Sequence, residues 1–204
     1  MKSVDKYYLR SFYEEALEKY GVDYRSLHWS SIRTQLARFE VLYDIGPYSG
    51  CSILDIGCGL GDFYQYLKER AEGFSYMGYD ISPKMVESAE KRFPEAGFMV
   101  RDILESQPEP ESFDYVVASG TFNIRVKEHD AFLKDMISAM YRACKKGIGF
   151  NLLERRPNEW FNDGLYYSAN PEEVISFCHT LSSLSEVKIG YLPDDFTIFL
   201  YKEK

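Results

Sequence analysis

The residues with the clearest chemical purpose are the three glycines of ILDIGCGLGDF, residues 53–63. Glycine admits backbone angles that a side chain forbids, and it lets a ligand approach the main chain closely. A helix starting at such a turn aims unpaired N–H groups at that ligand. The dinucleotide fingerprint requires G-x-G-x-x-G or G-x-G-x-x-A. Counted from Gly57, its third position falls on Asp62, and a carboxylate there would repel a pyrophosphate. Counted from Gly59, it falls on Tyr64. No Lys-Ser or Lys-Thr follows, so the Walker phosphate loop does not fit either. What fits is D-x-G-x-G-x-G on Asp55, Gly57, Gly59 and Gly61, with Cys58 inside the turn.

Two further carboxylates stand at comparable places. Asp80 ends the apolar run of MGYDIS, about 20 residues beyond Gly59, where an acid can accept from both hydroxyls of a ribose. Asp102 ends the next run, in VRDI. A single aspartate after a strand is often only a turn or cap residue. Three acids at three successive strand ends, beside a glycine turn, point to one shared ligand.

The elements that must position these residues alternate along the chain. Two helices come first, over 5–20 and 30–45, with Tyr8, Phe12, Ala16 and Leu17 striping one and Ile32, Leu36, Phe39 and Leu42 or Tyr43 the other. Strands then read at 51–56, 74–80, 97–103, 113–119 and 148–154, separated by helices at 60–71 and 82–93 and a long one from His129 that Gly147 closes. A loop over 155–169, a helix over 170–181 and strands at 185–192 and 196–202 complete the chain. Such alternation predicts a Rossmann-like, doubly wound α/β sheet of seven strands, mostly parallel, with helices on both faces. The last two strands are joined at Pro193, Asp194 and Asp195, so the final strand runs antiparallel. With 204 residues and no linker, the expectation is one domain: lid helices over 1–45 and the sheet core over 46–204.

The D-x-G-x-G-x-G turn resembles motif I of the class I S-adenosylmethionine (SAM) dependent methyltransferases, and the likeness extends over roughly residues 30–202. SAM carries a sulfonium and no phosphate, so acids at Asp55 and Asp62 suit it better than NAD. The resemblance implies a cofactor site at Asp55, Gly57, Cys58 and Gly59, with Asp80 on the ribose and Ile81 on the adenine. It implies that Asp102 accepts from the adenine amino group with Ile103 near the ring, and that Ser119 and Gly120 line the reacting methyl. In similar enzymes a lid helix supplies an arginine to the SAM carboxylate, which nominates Arg38; a solvated surface arginine is the alternative. The product would be S-adenosylhomocysteine (SAH).

Methyl transfer is an in-line displacement in which the protein supplies alignment and desolvation. A base is needed only if the acceptor must lose a proton. The three histidines, His28, His129 and His179, assign none, and the catalytic residues stay unknown. After the fourth strand the chain reads ASGTFN, which lacks the Asn- or Asp-Pro-Pro-aromatic box of amino-methyltransferases acting on nucleic-acid bases. The formal charge of −8 likewise argues against nucleic acid. No metal site is expected. The 155–169 loop holds Trp160, Phe161, Tyr166 and Tyr167, an aromatic wall suited to a small organic acceptor or to packing against the sheet. No run serves as a signal peptide or membrane span, and no cysteine pair has C-x-x-C spacing. The expectation is therefore a cytoplasmic methyltransferase, monomer or homodimer, acting on a small molecule. Three alternatives remain: a SAM enzyme of other chemistry, a non-catalytic module on the same fold, and a NAD oxidoreductase.

Overall fold

A computed structural model describes residues 3–155 and 164–203. The helices are α1 (Ser3–Tyr20), α2 (Ile32–Tyr43), α3 (Asp62–Lys68), α4 (Pro83–Arg92), α5 (His129–Ala143) and α6 (Pro171–Cys178). The strands are β1 (Ser52–Ile56), β2 (Ser75–Asp80), β3 (Gly97–Val100), β4 (Phe113–Ala118), β5 (Cys144–Glu154), β6 (Ser168–Ala169), β7 (Ser185–Ile189) and β8 (Asp195–Tyr201). A 3-10 turn at Tyr24–Leu27 joins α1 to α2.

The sheet order is β3-β2-β1-β4-β5-β8-β7, with the two-residue β6 paired to β5. β1 to β5 run parallel, and β8 is antiparallel to both β5 and β7. This is the expected doubly wound sheet with one short strand added inside the 155–169 loop. The chain winds outward from β1 to β3, then returns to place β4 on the other side of β1. That reversal opens a crevice beyond the carboxyl ends of β1 and β4, where such sheets bind ligands.

Strand alternation sorts the core into two faces. Leu54, Ile56, Val116 and Ala118 pack with the α5 stripe Phe132, Leu133, Met136, Ile137 and Met140. Ile53 and Val117 face the opposite way, onto Phe39 and Leu42 of α2 and Phe63 and Leu67 of α3. Burying side chains on both faces supplies roughly 1.5–3 kcal/mol for each fully buried large apolar residue. Local signals start three of the helices. Ser31 and Thr34 form a reciprocal capping box on α2. Ser82 accepts from Met85 N with Pro83 in the first turn of α4, and Asn170 caps α6 in the same way.

Three features differ from the sequence reading. Leu9, not Tyr8, lies on the buried stripe of α1 with Ala16, because 9, 12, 13 and 16 share one helical face. Gly147 does not close α5; it lies inside β5, which starts at Cys144 directly where the helix ends. Finally, α2 turns Gln35 and Arg38 inward with Phe39 and Leu42, and leaves Ile32 and Leu36 exposed.

Candidate functional site

The chain leaves β1 through three left-handed glycines, Gly57 (φ +72°), Gly59 (φ +52°) and Gly61 (φ +76°). These angles disfavour any side chain. Tyr79 O at the end of β2 accepts from both Gly57 N (2.7 Å) and Cys58 N (3.1 Å), and Gly61 N closes on Cys58 O (2.9 Å). The turn is thereby tied to the neighbouring strand. Thr121, beyond β4, donates to Ile56 O at 2.7 Å. A Cβ on Gly57 would come within 2.6 Å of Thr121 Oγ1, so only glycine lets these two loops meet.

Around this turn lies a cavity with ≈ 870 Å³ of unfilled space, its open mouth included. Its walls bring together Gly57, Gly59, Asp80, Ile81, Asp102, Ile103, Ser119 and Gly120. Met85, Phe132 and Met136 add apolar surface from α4 and α5, and Leu9, Tyr13, Leu27 and Trp29 roof it from the amino-terminal segment.

Asp80 is anchored at both oxygens. Oδ2 accepts from Gly59 N and Oδ1 from Ser82 N, each at 2.9 Å. Burial raises its pKa against the pull of these bonds. Each carboxylate oxygen keeps a further lone pair for a ligand. Asp102 is buried; Oδ1 accepts from Leu104 N (2.9 Å), while Oδ2 has no hydrogen bond and only the Lys6 ammonium 3.4 Å away. A buried acceptor without a donor is costly unless a ligand supplies one. Arg101 also lines the cavity, but its guanidinium is committed to Ser106 O, Gln107 O and the Tyr79 hydroxyl.

The remaining candidates point elsewhere. Asp55 follows Ile53 onto the α3 face of β1 and is buried there, accepting from the Tyr76 hydroxyl at 2.6 Å. Burial, with Asp80 and Asp62 nearby, pushes its pKa up to about 7. Asp62 takes Gln35 Nε2 (2.9 Å) and Arg92 Nη1 (2.7 Å). Neither acid forms a lip of the cavity, and Arg92 neutralises the charge that was to repel a pyrophosphate. The Cys58 thiol is buried toward Gly78, leaving its main chain at the turn. Arg38 is buried and paired with Asp195, and it is not a wall of the cavity.

His28 and His129 pack against aromatic rings, whereas His179 is exposed, with Nε2 2.8 Å from Ser185 Oγ. His129 is buried, accepts from Val126 N at Nδ1 (3.1 Å), and stacks on Tyr167 with centroids 3.7 Å apart. Burial holds its pKa down to about 4, so it is neutral at physiological pH. His28 stacks on Phe12 at 3.9 Å. Of the expected aromatic wall, Trp160 and Phe161 lie outside the described residues. Tyr167 packs the loop onto α5, and Tyr166 bridges to Ile124.

One buried polar residue beside the cavity escaped the sequence reading. Asn151 in β5 is buried; its Oδ1 accepts from Gly120 N (2.8 Å) and its Nδ2 donates to Ser119 Oγ (3.2 Å). It fixes the loop at the end of β4. The signal was a single polar residue within the apolar run IGFNLL. Among the described residues no group of three or more His, Cys, Asp and Glu side chains is placed to hold a metal ion. No described helix is long and apolar enough to cross a membrane.

Residues 53–147 match the family model described as a methyltransferase domain. A Mycobacterium tuberculosis protein named as a methyltransferase is 34% identical over 157 residues, covering 74% of this chain and 93% of its own length. Trans-aconitate 2-methyltransferase of Rhodopseudomonas palustris is 30% identical over 56% of this chain, which spans only 43% of that enzyme. Among solved structures, magnesium protoporphyrin IX methyltransferase from Synechocystis with SAH bound aligns over 98% of this chain and 100% of its own, with a TM-score of 0.69 at 15% identity. That likeness is one of fold. The glycine turn, the two acids facing one cavity and the match to a near full-length relative converge, and the chain belongs to the class I SAM-dependent methyltransferases.

Proposed function

We propose that the cavity holds SAM and that the enzyme transfers its methyl group to a small-molecule acceptor. The observation that carries this reading is the pair Asp80, the last residue of β2, and Asp102, two residues beyond β3, on one cavity. Asp80 has spare lone pairs beside the backbone of Gly59, and Asp102 Oδ2 is a buried acceptor whose nearest cation, the Lys6 ammonium at 3.4 Å, makes no hydrogen bond to it. A ribose diol and an exocyclic amine would satisfy these two positions.

When bound, SAM supplies an electrophilic methyl on a sulfonium. The chain's own residues bind, orient and exclude water. Asp80 accepts from the ribose hydroxyls, and Asp102 accepts from the adenine amino group. Ile81 and Ile103 cover the ring. Gly57, Cys58 and Gly59 offer main chain that a ligand can approach. Ser119 and Gly120, held by Asn151, face the reacting end. Leu27 and Trp29 close the roof and keep water out, which strengthens electrostatic contacts inside. No base is assigned: His129 is neutral but packed, and the reaction requires one only for an acceptor that must lose a proton.

Related enzymes are named for trans-aconitate and demethylmenaquinone, both small acceptors. They support a small molecule without naming which one. Incubation with SAM carrying an isotopically labelled methyl, against a panel of organic acids, quinols and amines, tests the reading. Acceptor-dependent SAH release with label in the acceptor is expected. SAH formed with the label elsewhere would mean another chemistry, and SAM bound but unchanged with every acceptor would favour a non-catalytic module.

A further inference from the structure

The inward face of α2 is inverted. Ile32 is 58% exposed and Leu36 43%, while Gln35 and Arg38 are buried at 4% and 7%. A helix stabilised by burial alone would do the opposite. Both inward polar residues reach distant partners. Gln35 Nε2 donates to Asp62, at the start of α3 directly after the glycine turn. Arg38 meets Asp195, the first residue of β8, through two contacts: Nε against Oδ2, and Nη2 donating to Oδ1 at 2.7 Å. Replacing a buried ion pair by apolar residues is often neutral or stabilising, so stability alone does not explain it. A forked guanidinium on a carboxylate does fix geometry.

What it fixes is Trp29. The Arg38 guanidinium lies 4.6 Å from the centre of the Trp29 ring. The far edge of the same indole presses on Gly120, where an added Cβ would come within 2.4 Å of Cη2. Trp29 is a wall of the cavity beside Ser119 and Gly120. The chain Asp195, Arg38, Trp29, Gly120 thus runs from the start of β8, beside the carboxyl end of β5, to the proposed reacting end of the site.

We propose that Arg38 is a positioning residue: its pair with Asp195 latches Trp29 as the roof of the cavity, and so sets how fast the bound cofactor escapes. The roof itself stands on the geometry above; only the escape rate rests on the cofactor reading. The latch differs from a ligand role for Arg38, because its guanidinium is already engaged.

Trp29 and Trp160 are the only tryptophans, so Trp160→Phe leaves Trp29 as the sole reporter. In this background without ligand, Trp29 emission is expected to resist acrylamide quenching. Arg38→Met/Asp195→Leu replaces the pair with apolar side chains; it is expected to fold and to expose Trp29. SAH release, followed by stopped flow, is expected to speed up about tenfold with little change in the association rate. Arg38→Lys keeps the charge but loses the planar fork, and falls between. A folded double variant with Trp29 as shielded as in the wild type, or with wild-type SAH release, overturns the proposal. Should the double variant not fold, wild-type shielding in Arg38→Lys overturns it instead. If the wild type fails to bind SAH, the cofactor reading falls, and the quenching comparison still decides the latch.

Discussion

Asp55→Asn should stabilise the ligand-free protein, and increasingly so as the pH rises. Asp55 is 3% exposed and takes one side-chain hydrogen bond, from Tyr76 at 2.6 Å. Burial outweighs that bond and moves the carboxyl from 3.8 to about 7. A carboxyl raised on folding holds a proton that the unfolded chain has released. Between these two values the folded state therefore binds more protons, and stability falls as pH rises. At about 1.36 kcal/mol per pKa unit, following both titrations from pH 5 to pH 8 gives a loss of about 2–3 kcal/mol. For a chain of this size that is roughly 4–12 °C in Tm. Asparagine cannot ionise, and its amide oxygen still accepts from Tyr76. Thermal unfolding of both proteins across pH 5–8 measures the difference directly. The variant's advantage over wild type should grow by that amount toward pH 8. A gap that stays constant with pH, or a variant that is less stable throughout, would refute a buried carboxyl titrating near neutrality.

Three further outcomes follow from the site. Asp80→Ala should weaken SAH binding at least tenfold, about 1.4 kcal/mol, by calorimetry, and unchanged affinity would remove Asp80 from the site. Gly120→Ala forces a left-handed alanine (φ +71° here) against Trp29, so it should destabilise by about 1–2 kcal/mol from the backbone alone and open the roof; a Tm and SAH affinity equal to wild type would contradict that packing. His129 should stay neutral down to about pH 5 when its ring resonances are followed by NMR, because burial holds its pKa near about 4; titration at an ordinary histidine pKa would show the ring to be solvated.

Most of the sheet was legible because the strand and helix periods alternate cleanly and the caps at Ser31, Ser82 and Asn170 are local signals. The glycine turn was legible for a similar reason, since its function is written in backbone angles that only glycine adopts readily. What was not legible depends on partners far along the chain. In α2, Ile32, Leu36 and Phe39 satisfy helical spacing as well as Gln35, Arg38 and Phe39 do. The choice is made by Asp62 and Asp195, 27 and 157 residues away. Asp55 was read as part of the cofactor site because an acid is not expected to be buried, yet it shares the parity of Ile53 and lies on the α3 face. The end of α5 misled because a glycine after a helix reads as a cap, whereas Gly147 is paired in β5 between Tyr115 and Tyr201. Asn151 is silent in sequence because its partners are the backbone of Gly120 and the hydroxyl of Ser119, 31 and 32 residues earlier and across α5.

The central claim is that the cavity at the end of β1 holds a SAM-type cofactor on Asp80 and Asp102. Calorimetric titration of purified, ligand-stripped protein with SAH, with NAD as the control, tests it most directly. One SAH site of micromolar affinity is expected, weakened at least tenfold by Asp80→Ala, with no heat from NAD. Folded protein that binds NAD, or that binds neither ligand, would contradict it.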